Sequence, residues 1–241
     1  MVDTVYVPPL YPSSEFPDEE ARCEICRDTG WVHPLKPDGK ADYSTIKPCQ
    51  CQRKALLHQY ADTSGVPEEK RSKCFENFVP TIPPADFNAI TNFAQGKASF
   101  KLLLIFGDTG NGKTHLAYSA VVEACKRGVA AKYIEATKMF LAVRAMYDNE
   151  RRVEDPAERF KACPFLVIDD VGGEKETDWT RAMLEEIIDH RYSHELCTMV
   201  TTNKSPTNLP EPVQSRFKDS ELSRVIHNAA PDYRPKKRGG K

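Results

Sequence analysis

Gly107, Asp108, Thr109, Gly110, Asn111, Gly112, Lys113 and Thr114 stand in the order and spacing of a phosphate-binding loop. An apolar run, 102–106, precedes them and a helical pattern, 115–127, follows, which is the setting such a loop requires. Gly107 and Gly112 let the backbone curl so that successive N–H groups converge on phosphate oxygens, and the helix behind turns its positive dipole end toward them. Lys113 is expected to reach the β- and γ-phosphates and Thr114 to coordinate Mg²⁺. The ligand this implies first is ATP.

A second acidic motif fits the same chemistry. Residues 165–168 read as a short buried strand ending in Asp169 and Asp170, the pattern of a Walker B strand. Asp169 is expected to hold Mg²⁺ through water. Asp170 stands where a carboxylate polarises the attacking water, although Glu is the commoner residue there and the shorter arm must reach further. Glu174, after Val171, Gly172 and Gly173, is a rival base, and the sequence leaves both open.

Four of the eight cysteines form two tight pairs, Cys23 with Cys26 and Cys49 with Cys51, while Cys74, Cys125, Cys163 and Cys197 stand alone. A CxxC turn presents two thiolates to one ion, and a second pair some twenty residues on closes the tetrahedron that structural Zn²⁺ prefers. His33 lies in the intervening loop, so a Cys₃His site that uses one of Cys49 and Cys51 stays open. The surrounding βαβ pattern of a redox CxxC is missing. A segment of this length and polarity is too short to bury a core, and zinc would supply on the order of 10 kcal/mol in its place.

These groups need elements to carry them. Residues 1–20, rich in Pro, Ser and acidic side chains, read as a disordered arm. Residues 21–62 read as the zinc module, with a short helix at 50–60. Residues 63–97 read as a Pro-studded connector in which Phe75, Phe78, Val79 and Ile82 pack on the next domain. From 98 to 230, strands at 101–106, 130–134, 165–168 and 196–202 alternate with helical stripes: an α/β fold, a parallel sheet with helices on both faces and the nucleotide beyond the carboxyl ends of the strands. Residues 231–241 form a basic tail. With 34 basic and 35 acidic residues the net charge is −1, so no global basic field draws nucleic acid and any contact must be local. No stretch approaches the roughly 20 apolar residues that cross a bilayer. The amino-terminus lacks the pattern of a secretory signal, so a cytoplasmic protein with reduced thiols and no membrane partner is expected.

With the phosphate loop, the run from Asp169 to Glu174, Thr201, Thr202 and Asn203 ending the next strand, and Ser215, Arg216 and Phe217 soon after, the chain resembles an AAA+ ATPase. It is similar to the DnaC/DnaI-type loaders of replicative helicases, with the IstB-type transposition ATPases as cousins. The resemblance covers roughly 75–235, and the cysteine cluster matches the zinc-binding helicase-docking module of the DnaI type. It implies roles for matching positions: Asn203 as the sensor-1 residue that positions water, Arg216 as an arginine finger reaching a neighbouring subunit, and Arg234 as a weaker sensor-2 candidate. It implies ATP-driven self-association as a ring or spiral, a hexameric replicative helicase as partner, slow turnover by an isolated subunit, and single-stranded DNA along 137–160. There Lys138, Arg144, Arg151, Arg152 and Arg159 would follow phosphates, and Phe140 and Tyr147 would stack on bases. Two other readings remain: a transposition helper that coats duplex DNA, and a nucleotide-gated adaptor with little turnover, suggested by Asp170 in place of Glu. A small-molecule kinase fits less well, since no lid-like Arg cluster follows Asp170.

Overall fold

The computed structural model describes residues 4–6, 23–26, 29–49, 62–79, 82–147, 157–173 and 176–233. The chain divides into two compact units, Met1–Gln59 and Tyr60–Lys241.

In the first unit, β1 (Thr4–Tyr6), β2 (Trp31–Pro34) and β3 (Lys47–Pro48) form an antiparallel sheet in that order. Pairing of Thr4 with Pro34 and Tyr6 with Val32 corrects the expectation of a disordered arm at these positions. An extended backbone at 4–6 finds its hydrogen bonds on the free edge of β2, a pairing that composition alone does not disclose. The rest of the arm and the helix expected at 50–60 lie outside the described residues. Among the described residues the buried apolar side chains here are Cys26, Val32 and Cys49.

The second unit is built on a parallel sheet of β4 (Leu102–Phe106), β5 (Ala131–Glu135), β6 (Phe165–Val171), β7 (Cys197–Thr202) and β8 (Ser223–His227), in the order β5-β6-β7-β4-β8. A strand covered on both faces must be apolar throughout, and β4 reads Leu-Leu-Leu-Ile-Phe. Successive side chains point to opposite faces. Leu103, Ile105, Phe165, Val167 and Met199 enter one core with α1 (Pro84–Ala94) and α2 (Lys113–Lys126). Leu102, Leu104, Leu166, Ile168 and Val200 enter the other, with α3 (Ala136–Tyr147), α4 (Glu158–Lys161), α5 (Asp178–Ser193) and α6 (Glu211–Lys218).

Local signals set the helix ends. Gly128, at φ 78°, donates its N–H to the Cys125 carbonyl at 2.8 Å and ends α2. Thr177 accepts the Thr180 N–H at 3.2 Å and starts α5. Arg191 is fully buried near the other end of α5. Its guanidinium donates to the carbonyls of Phe160, Lys161, Cys163 and Cys197 at 2.7–3.0 Å and to Thr198 Oγ1 at 2.7 Å. Burial pulls it down to about 10, which leaves it charged at neutral pH.

The expected connector is corrected. Pro83 caps α1 and Pro84 occupies its first turn, so prolines begin a helix here. Val66, Phe75, Phe78, Ile82, Ile90 and Phe93 all join the α2 core, while Val79 is exposed. Residues 63–97 therefore belong to the second unit.

Candidate functional site

The loop after β4 turns into α2 through Gly112, which caps the helix in the left-handed region at φ 96°. A Cβ there would stand 2.7 Å from the Phe78 ring, so glycine is required both by conformation and by packing. The helix N-terminus opens on a cavity of about 390 Å³. Thr109, Gly110, Asn111, Gly112, Lys113 and Thr114 form one wall, and Asp169, Asp170, Thr201 and Asn203 line the carboxyl ends of β6 and β7. The cavity thus brings together the two expected motifs at the place where open α/β sheets bind ligands.

Lys113 is buried, and its Nζ donates to the carbonyls of Gly107 and Asp108, each at 2.7 Å, and to Asn111 Oδ1 at 3.1 Å. Gly107 and Asp108 do not line the cavity; they anchor the lysine from behind. The glycines also answer a constraint that phosphate binding does not explain. Side chains at Gly107 and Gly110 would collide with the Asn228 carbonyl and the Asp232 carboxylate. Asn111 and Asn228, both buried, clasp each other: Asn111 Nδ2 donates to the Asn228 carbonyl at 2.7 Å and Asn228 Nδ2 to the Asn111 carbonyl at 3.0 Å. Tyr233 N–H reaches the Gly110 carbonyl at 3.0 Å. The first residues of the expected basic tail therefore lie on the loop, and Arg234 with the remaining tail falls outside the described residues.

Asp169 is buried at the end of β6, and its carboxylate accepts from Tyr133 Oη at 2.7 Å and from Thr201 Oγ1. Strand β6 continues through a register shift, at which Asp170 adopts φ 59° and points outward. Its N–H donates to Thr201 Oγ1 at 3.0 Å, and its Oδ1 accepts from Asn203 Nδ2 at 2.6 Å. Burial, then the Asp169 and Glu135 charges, push the Asp170 carboxyl up against the opposing pull of Lys113. Glu174 lies outside the described residues. Tyr118, Tyr133, Glu135 and Thr201 complete the cavity. Sequence pattern assigns none of them a role, although Thr201 stands in the motif that ends at Asn203.

Arg216 is on α6, away from the cavity. Its Nε and Nη2 donate to Asp189 Oδ1 at 2.9 and 2.5 Å, and the guanidinium lies 4.8 Å from the Tyr192 ring centre. On the expected DNA segment, Lys138 pairs with Glu135 at 2.9 Å and Arg144 lies 5.9 Å from the Trp179 ring centre. Phe140 is corrected: it is buried in the α3 core, because α3 turns that face to the sheet, and so cannot stack on bases. Arg151, Arg152 and the Tyr147 side chain lie outside the described residues.

In the first unit the ligand atoms of Cys23, Cys26 and Cys49 lie within 4.8 Å of one another, with Cys23 Sγ 3.7 Å from Cys49 Sγ. Gly30 N–H donates to Cys26 Sγ at 3.3 Å and its carbonyl accepts from Cys49 N–H at 2.7 Å. This turn folds the two cysteine segments together. Three convergent thiols suit the soft tetrahedral preference of zinc. Cys51 lies outside the described residues. His33 is not in the cluster, and its Nδ1 lies 2.8 Å from the Thr45 carbonyl.

A family profile described as IstB-like ATP binding protein matches residues 70–230. The chain is similar to the chromosomal replication initiator protein DnaA of Flavobacterium psychrophilum, at 32% identity over 149 residues, 57% of this chain and 29% of the initiator. It is similar to the replicative helicase loader DnaI of Bacillus subtilis, at 26% identity over 131 residues, 52% of this chain and 41% of the loader. The chain thus spans less than half the length of these two curated relatives. The crystal structure of the DnaC helicase loader superposes with a TM-score of 0.58 at 22% identity, covering 67% of this chain and 99% of that one. That likeness is one of fold: the parallel sheet flanked by helices is the P-loop, AAA+ arrangement. Among the described residues no helix is long and apolar enough to cross a membrane.

Proposed function

Because the chain belongs to the IstB-like ATP binding protein family, we propose that it is an ATP-dependent loader that docks on a hexameric replicative DNA helicase and helps place it on single-stranded DNA. What carries this reading is the joining, in one chain, of the loop-and-carboxylate cavity with an amino-terminal unit that gathers three thiols. Residues 21–62 act as the docking module, held by Zn²⁺ on Cys23, Cys26, Cys49 and Cys51. Lys113 and the N–H groups from Thr109 to Thr114 grip the triphosphate, while Thr114 and Asp169 face Mg²⁺, which neutralises phosphate charge when bound. Asp170 or Glu174 takes the proton of the attacking water, Asn203 orients Asp170, and Arg216 serves a neighbouring subunit's site. The likeness to a replicative helicase loader supports the partner. Hydrolysis, slow in the isolated subunit, releases the loader.

A pull-down with the cognate helicase tests the docking half. Capture is expected for the native chain and is expected to fail for the Cys23→Ser, Cys26→Ser double variant; undiminished capture would refute the module's role. The second reading, a transposition helper, is favoured by the family profile itself. Binding to a transposase rather than a helicase, with the cysteine variant unaffected, would select it.

A further inference from the structure

Asp169 presents a problem of charge. It is 2% exposed, and its hydrogen-bond partners among the described residues are two neutral hydroxyls, Tyr133 Oη on Oδ2 at 2.7 Å and Thr201 Oγ1 on Oδ1. An ionised carboxylate taken out of water keeps part of its desolvation cost when hydroxyls alone solvate it, and a cation offsets the remainder. Each carboxylate oxygen offers about two lone-pair sites, so the two hydroxyls fix the group and still leave acceptor capacity facing the cavity.

The hydroxyl of Tyr133 is itself held in place. Its ring is nearly buried, packs at 4.5 Å between ring centres against Tyr118, and stands on β5, hydrogen-bonded directly to β6. A phenyl ring would fill the same space against Tyr118 and lose only what the oxygen does, chiefly its bond to Asp169 beside an interaction with the Tyr118 side chain. Three neighbouring strands thus deliver a hydroxyl, a carboxylate and a second hydroxyl to one point on the cavity wall.

We propose that Tyr133 is the positioning residue that fixes the Asp169 carboxylate for a divalent cation. The inference rests on the Mg²⁺-nucleotide reading above and adds a residue to it. Outer-shell partners of this kind hold a ligand's plane and rotamer, and their loss weakens metal binding without touching the metal's own ligands.

The test uses the full chain and a fluorescent ADP analogue, titrated at stepped Mg²⁺ concentrations and in EDTA. Tyr133→Phe is expected to raise the Mg²⁺ concentration for half-saturation by about 10–100-fold, with affinity in EDTA little changed and the chain still folded. Asp169→Asn is expected to raise the Mg²⁺ midpoint at least as far, and adding Tyr133→Phe to it to change nothing more. An unshifted Mg²⁺ midpoint in folded Tyr133→Phe overturns the inference, as does an equal loss with and without Mg²⁺. The native chain, measured first, separates the two readings: failure to take up Mg²⁺-nucleotide overturns the ATP-dependent function itself.

Discussion

At the scale of single residues, Asp170 combines a strained backbone with a shifted carboxyl. A positive φ is uncommon outside glycine, though Asn and Asp tolerate it best. At φ 59° the residue turns its carboxylate toward Asn203 rather than into the core. Burial and the adjacent acids raise its pKa above the ordinary 3.8. The stability it contributes is therefore complete below that ordinary value and lost as pH rises through the higher folded one, so at neutral pH the charged form opposes folding. Asp170→Asn keeps the backbone conformation and removes the charge. It is expected to melt at a higher temperature than the native chain at pH 7 and to lose that advantage toward pH 4. If Asp170 is the base, turnover in the same variant falls by on the order of 10²–10⁴-fold. A turnover unchanged by this substitution would shift the role to Glu174. Thermal melts at the two pH values and a phosphate-release assay measure both parts.

At the scale of elements, the clasp between the loop and the segment after β8 decides how firmly Lys113 is held. Asn111 links the two, receiving the Lys113 ammonium on Oδ1 while its Nδ2 serves the Asn228 carbonyl. Asn228→Ala removes the donor to the Asn111 carbonyl and the acceptor for Ala230 N–H at 3.1 Å. Two buried backbone groups would lose partners, so a loss of about 2–4 kcal/mol is expected in urea unfolding, with weaker nucleotide uptake because Asn111 is less constrained. The same clasp marks the limit of what the sequence discloses. Phosphate binding demands glycines and a lysine at contiguous positions, so the loop could be read directly. Asn228 lies 117 residues away from Asn111, and Tyr133, Glu135 and Thr201 meet Asp169 only through the register of β5, β6 and β7. Short-range pattern carries no trace of that adjacency. Alternating strands and helices revealed the sheet, whereas α1 escaped because its two opening prolines resemble a connector until the apolar positions after them are seen to face α2.

At the scale of the whole molecule, the issue is whether Arg216 works in its own subunit or in a neighbour's. Within one chain it is bonded to Asp189 and lies over Tyr192, and it contributes nothing to the cavity wall. Both groups of that ion pair are substantially exposed, and exposed pairs hold only about 0.2–1 kcal/mol, with a similar amount from a surface cation–π contact. A finger that neutralises transition-state charge is worth ~10³–10⁵ in rate, or about 4–7 kcal/mol. The two surface contacts are weak beside that gain in rate, so giving them up would cost little if Arg216 serves a neighbour's site as proposed. If the chains assemble head to tail as proposed, every site depends on two chains. Lys113→Ala and Arg216→Ala are each expected to be nearly inactive alone. Mixed in equal amounts, they place an intact Arg216 against an intact Lys113 site at about a quarter of random interfaces, so that fraction of native turnover is expected to return. A mixture no more active than its separate components, under conditions where the native chain assembles, would confine Arg216 to its pair with Asp189 and remove the trans contribution from the mechanism.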